Sequence, residues 1–241
     1  MDLFSDIDLL SLDAGNTVIF LDHARLEKIA RGLGHDVDAA KLIETEGKAK
    51  RGIGGDGEVV EIDWAEAKAP GARGWGIVMA TMFEAAGVAK GDLRKLLEAL
   101  WAHHVDHNLY SVVPEGFVEA MEEIRGKGVK VAIVSNSEGM LDRLFDKLGI
   151  LSSFDAVVDS AKVGVEKPDA RIFEIACKRT GTTPEHALHL GDTMATDILG
   201  ARNAKMRCAM IDPFGHYEGM YPDVPRAAGV VEVAREIMRS R

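Results

Sequence analysis

IDLLSLDAGNTVIF, residues 7–20, decides the fold class, because a strand-like, mostly apolar run ends on a carboxylate, Asp13, and then turns through Gly15 and Asn16. A short run of this kind, bounded by turn residues, reads as a strand buried on both faces, as in a parallel sheet. Four later runs share its character: VKVAIVS (129–135), FDAVVDS (154–160), HALHLGD (186–192) and RCAMID (207–212). Helical patterns lie between them. Phe117, Ala120, Met121 and Ile124 occupy one face, and Leu141, Leu144, Phe145 and Leu148 repeat the i, i+3, i+4, i+7 spacing before Gly149. Ile172, Ile175 and Ala176 do the same after Pro168, which suits the first turn of a helix. Strands alternating with helices predict an α/β fold, a doubly wound parallel-sheet (Rossmann-like) core.

One long interruption breaks the alternation. Residues 21–111 carry no convincing strand and read as helices, including one with Leu93, Leu96, Leu97, Leu100 and Trp101 on a shared face. A structureless loop of that length is implausible in a compact protein, so an all-helical domain, 21–111, is expected between two parts of the core, 1–20 and 112–241. Such an insert is expected to be hinged. RGIGGDGE (51–58) reads as a flexible loop and GHYEG (215–219) as a loop over the edge of the sheet.

Hydrophobic residues make up 46% and charged residues 28% of the chain, ordinary values for a soluble enzyme. No apolar run approaches the ~20 residues that cross a membrane. The opening MDLFSDIDLL has acids where a signal peptide would be basic, so a cytoplasmic location is expected. Cys177 and Cys208 lack metal-ligand spacing, fall in a helix and a strand, and are expected to be free buried thiols. A formal net charge of -10 argues against a nucleic-acid surface. An anionic substrate must then be attracted by local positive charge.

In a parallel sheet, ligands bind beyond the carboxyl ends of the strands. That rule brings together Asp13 from the first strand, Ser135 and Asn136 from the second, and Gly191 and Asp192 from the fourth, with Asp197 one turn later. Carboxylates with further oxygen ligands nearby suit a hard divalent ion such as Mg²⁺. Lys167, in VGVEKPDARIF, could balance the negative charge. Each residue also has a plainer use: Asp13 and Asp192 as caps or turn residues, Ser135 as a helix cap, Asp197 as a helix-start acid, and Lys167 as a surface lysine.

Four segments in this order and spacing, DAGNT, VSN, EKPD and GDTMATD, resemble the haloacid dehalogenase superfamily, and the helical insert resembles that family's cap in position and type. The resemblance implies that Asp13 is a nucleophile forming a covalent aspartyl intermediate and that Ser135 and Asn136 hold the transferring group. It further implies that Lys167 stabilises Asp13 and the developing charge. Asp13, the carbonyl of Gly15 and Asp192 would hold Mg²⁺, with Asp197 as a further ligand or support. The substrate implied is a small phosphorylated metabolite.

The departure lies at position 15. Phosphatases that resemble this chain usually carry there an aspartate that protonates the leaving oxygen and later activates water. Gly15 does neither, although its carbonyl can still meet a metal. Asp22, His23 and the pair His103 and His107 at i, i+4 are outside candidates for a substitute base or ligand set. A phosphatase-like hydrolase with reduced activity is the leading expectation. A non-catalytic phosphate- and metal-binding protein is the alternative, and dehalogenation at carbon is a further one that GDTMATD argues against. Phosphonate cleavage would need a Schiff-base lysine in the cap, and nothing marks Lys48 or Lys50 for it.

Overall fold

The computed structural model describes residues 3–69 and 71–241. Among them are eight strands: β1 (Leu9–Leu12), β2 (Phe20–Leu21), β3 (Tyr110–Val112), β4 (Lys130–Ser135), β5 (Ala156–Asp159), β6 (Ala187–Gly191), β7 (Arg207–Ile211) and β8 (Arg226–Ala227). All five runs read as strands from the sequence lie in one six-stranded sheet, ordered β5-β4-β1-β6-β7-β8 and joined by parallel pairs. β1 is paired on both sides, with Leu12 opposite both Ile133 and Leu190. All four of its side chains are therefore buried, including Ser11. β8 and the separate pair β2-β3 are too short to leave a periodic signal.

The chain divides into two compact units. The first comprises Met1–Phe20, Val112–Pro213 and Gly219–Arg241. The second comprises Leu21–Ser111 with Phe214–Glu218. The helices α1 (His23–Gly32), α2 (Ala39–Ile53), α3 (Ala72–Ala85) and α4 (Leu93–Asp106) belong to the second unit. Those of the first are α5 (Phe117–Gly126), α6 (Leu141–Lys147), α7 (Ser160–Val163), α8 (Ala170–Thr180), α9 (Leu199–Asn203) and α10 (Val230–Arg239).

The helical unit has its own core, in which Leu26, Leu42, Met79, Phe83, Leu96 and Leu100 meet from all four helices. Asp22 and Asp38 start α1 and α2 by accepting hydrogen bonds from the main-chain N–H of Arg25 and Lys41. Two expectations are corrected here. RGIGGDGE is helical as far as Ile53 before it turns. Of GHYEG, 215–219, read as a loop over the sheet's edge, residues 215–218 instead group with Phe214 in the helical unit, where His216 Nε2 donates to the carbonyl of Ile43 at 2.8 Å. Gly47 makes room for that imidazole, because a Cβ at 47 would lie 2.8 Å from it.

All three tryptophans, Trp64, Trp75 and Trp101, sit together in this unit with ring centroids 5.1–5.9 Å apart, and His104 stacks on Trp101. Burial, aided by the charge of Arg25, pushes the His104 imidazole down to about 4. It is neutral when folded and accepts from the N–H of Leu109. The unfolded chain therefore takes up a proton at this site first as pH falls, so the stability that His104 contributes is lost between about 6.5 and 4. The loss should reach about 3 kcal/mol from this group. Tryptophan-monitored unfolding at pH 7 and pH 4 tests this: between those values the wild type should lose about 3 kcal/mol relative to His104→Phe.

Within the sheet unit, Phe117, Ala120, Met121 and Ile124 of α5 are buried as their spacing predicts. Pro168 differs from expectation. The helix it was to begin starts at Ala170, because the Asp169 side chain takes the N–H of Arg171 at 2.9 Å and supplies the cap. Cys177 and Cys208 are buried free thiols in a helix and a strand. No helix among the described residues is long and apolar enough to cross a membrane.

Candidate active site

The chain winds from β1 through β4 to β5 on one side, then returns to β6, β7 and β8 on the other. The order reverses between β1 and β6, the place where such sheets open a crevice at their carboxyl ends. Asp13 follows β1 and Asp192 follows β6 directly, while Ser135 closes β4. The N–H of Asp13 donates to the carbonyl of Leu190 at 2.8 Å, so the main chain is held up to the carboxylate itself.

Lys167 reaches this place from the loop before α8. Its Nζ donates to Asp13 Oδ1 and to Asp197 Oδ1, each at 2.5 Å, and all three side chains are buried. Asp197 lies in a π-helical turn, Met194–Ile198, and its Oδ2 accepts from the N–H of Thr193 at 2.9 Å. His189 Nε2 approaches Asp197 Oδ1 at 3.4 Å, and with the proton on that nitrogen Nδ1 accepts from the Ser11 hydroxyl at 2.9 Å. This close fit depends on Gly191: a Cβ there would stand 2.2 Å from Asp197 Cγ.

Burial raises the Asp13 carboxyl to about 7, helped by the like charges of Asp197 and Asp192 and opposed by Lys167. For Asp197, burial is outweighed by Lys167 and His189, and its carboxyl is held below the ordinary range. Burial would likewise lower the Lys167 ammonium, but Asp13 and Asp197 outweigh it and hold the charge in place. One lysine thus serves two carboxylates, with Asp192 adding a third acid. Carboxylate oxygens of Asp13, Asp192 and Asp197 lie within 4.8 Å of one another.

A hard divalent cation fits this donor set. Asp13 and Asp192 would hold it, and the carbonyl of Gly15 takes no hydrogen bond among the described residues. Both oxygens of Asp197 already accept protein donors, which suits a supporting role better than a direct one. Polar atoms on the same loops wait for partners: Asn16 Oδ1, Thr17 Oγ1 and Ser137 Oγ are buried with no hydrogen bond. Leaving such groups dry costs about 1–3 kcal/mol each, so a polar guest is expected beside them.

Ser135 is buried, and its hydroxyl makes no hydrogen bond among the described residues. Asn136 instead spends its side-chain amide on the main chain of Lys167. Asp22 is a helix cap. His23 pairs with Glu46 at 2.9 Å inside the helical unit. His103 and His107 are exposed and belong to no cluster of metal-ligating groups among the described residues. Lys48 is exposed and Lys50 is buried. Sequence reading passed over His189, Thr17 and Ser137. A histidine within an apolar strand run was the signal for the first, since a buried imidazole needs partners.

The model of the haloacid dehalogenase-like hydrolases matches residues 7–205. A glyceraldehyde 3-phosphate phosphatase of Methanothermobacter thermautotrophicus is 36% identical over 128 residues, 51% of this chain and 55% of that protein. A phosphoserine phosphatase of Thermus thermophilus is 34% identical over 148 residues, 60% of this chain and 55% of that protein. The chain thus spans little more than half the length of these relatives. Among solved structures, the HAD-hydrolase YfnB of Bacillus subtilis, described as bound to magnesium, superposes with a TM-score of 0.65. That alignment covers 96% of this chain and 98% of YfnB at 16% identity, a likeness of fold. With the family model matched across most of the length, the chain belongs to the haloacid dehalogenase-like hydrolases.

Proposed function

We propose that the protein is a Mg²⁺-dependent phosphatase-like hydrolase of small phosphorylated metabolites, working through an aspartyl intermediate at Asp13 without an acid at position 15. The observation that carries this reading is Lys167 bridging Asp13 and Asp197 beside Asp192 at the reversal of the sheet. Phosphatase relatives in the matched region support the substrate class. The buried carboxylate cluster favours it over dehalogenation at carbon, which has no use for a cation site.

An Asp13 carboxylate oxygen bonds to phosphorus while the bond to the leaving oxygen breaks. Lys167 keeps its charge beside the reacting centre, because burial is outweighed by its two carboxylate partners. A bound Mg²⁺ would supply charge neutralisation to the phosphoryl group and favour the ionised Asp13. Ser135, with its uncommitted hydroxyl, would bind a phosphoryl oxygen. Gly15 offers no proton, so the leaving oxygen departs as an anion or takes one from water. Water then attacks the phosphoaspartate, releasing phosphate and regenerating Asp13.

The missing acid sets the test. Phosphoryl transfer rests chiefly on positioning and charge stabilisation, whereas proton donation matters most for a basic alkoxide. A nitrophenyl or acyl phosphate should be cleaved with Mg²⁺ far faster than an alkyl phosphate. Gly15 does not use positive φ, so an aspartate there meets no backbone strain. Gly15→Asp should raise alkyl phosphate turnover by roughly 10²-fold and the activated ester less, in line with general acid catalysis. If neither form cleaves an activated ester in Mg²⁺, the protein is a phosphate-binding member of the family and not a catalyst.

A further inference from the structure

We propose that Asn136 is a positioning residue for Lys167, an inference that rests on the reading of Asp13 as nucleophile. Asn136 Nδ2 donates to the carbonyl of Lys167 at 3.0 Å, and Asn136 Oδ1 accepts from the N–H of Lys167 at 2.7 Å. Both main-chain polar groups of the lysine are therefore taken by one side chain from a loop 31 residues earlier. Only a primary amide carries a donor and an acceptor at this separation, so aspartate, serine or alanine cannot reproduce the pair. The two bonds also fix which end of the amide is oxygen.

The local chain explains why a clamp is needed. Pro168 follows Lys167 and brings no N–H, and α8 starts only at Ala170 under its Asp169 cap. Lys167 thus stands in a loop with no helix or sheet ladder to hold it, yet its Nζ meets two carboxylates at 2.5 Å at the far end of four rotatable bonds. Asn136 is itself exposed, and two bonds of opposite polarity set the start of that lever. The loop ending β4 thereby aims the charge that faces the nucleophile just after β1. The amide contributes alignment, and substrate is held elsewhere.

Kinetics of Asn136→Ala and Lys167→Met, singly and together, test the inference on a nitrophenyl phosphate with Mg²⁺. A displaced charge of this kind costs up to about 10²-fold, so Asn136→Ala should lower kcat by roughly 10- to 100-fold with KM nearly unchanged. In the Lys167→Met background, where no ammonium remains to aim, it should cost nothing further. A rise in KM at constant kcat, as from a lost substrate contact, overturns the inference. So does a loss that multiplies with that of Lys167→Met, as from a merely weakened fold.

Hydrogen exchange of the wild-type Lys167 amide gives a readout that needs no variant. Protection is expected, and exchange at the rate of an unbonded loop amide overturns the clamp. Asp13→Asn is run alongside. Activity surviving in Asp13→Asn removes the underlying reading, whereas a dead Asp13→Asn with an unimpaired Asn136→Ala removes only the clamp.

Discussion

If Asp13 is the nucleophile proposed above, Asp13→Asn is expected to abolish Mg²⁺-dependent cleavage of activated and alkyl phosphates alike, a fall of roughly 10⁴-fold or more, because the aspartyl intermediate could not form. The same change should strengthen the cation-free fold at pH 8. Burial holds the Asp13 carboxyl at about 7 in the folded protein, against 3.8 ordinarily. At this carboxyl the folded state binds more proton than the unfolded state between those values, so the group's contribution to stability falls as pH rises through that window. An asparagine carries no such penalty. Its melting temperature should exceed that of the wild type at pH 8 without divalent ions, and the gap should close as pH approaches 4. A variant that is inactive yet firmer is the signature of a site arranged for reaction at the expense of stability. Retained turnover, or a gap independent of pH, would contradict the assignment.

The second large effect belongs to Gly191→Ala. One added methyl would stand 2.2 Å from Asp197 Cγ and 2.4 Å from its Cβ, separations at which something must move. Asp197 cannot yield cheaply, being tied to Lys167, the Thr193 N–H and His189. Overpacking of this kind costs about 1–3 kcal/mol or more. Losing the bridge adds the cost of a buried charge without its partner, about 3–5 kcal/mol. Thermal unfolding should show a marginal or unfolded protein, and any folded fraction should have lost most of its turnover. Gly126→Ala is the control. A Cβ at 126 meets nothing within 4 Å, so that variant should be neutral or slightly firmer.

The sheet was legible because its five main strands are largely buried, which writes each as a mostly apolar run with a polar residue at its end. The strand-end rule then brought forward Asp13, Ser135 and Asp192 without any contact being known. β2, β3 and β8 were not legible, since two or three residues carry no period and their pairing is set by distant chain. Pro168 misled for a local reason: a proline is as welcome before a cap as after one, and only the Asp169 side chain decides between them. Asn136 illustrates the harder limit. Its residue type fits a ligand-binding loop, but what its amide bonds to depends on a lysine 31 residues away. His23 was equally ambiguous, and its partner Glu46 lies on a different helix.

The membership of residues 214–218 in the helical unit sets an order of events at the ribosome. Helices α1 to α4 are made early, yet the piece that fills the notch at Gly47 and gives the Ile43 carbonyl its donor is made only after Pro213. By then five of the six strands of the sheet have already been synthesised. Domains made first ordinarily finish first during translation. Here the earlier-made module must wait for the later one, so a chain stalled near residue 200 would present four helices with an uncovered seam. A transplant of residues 21–111 into another scaffold would inherit the same open seam permanently.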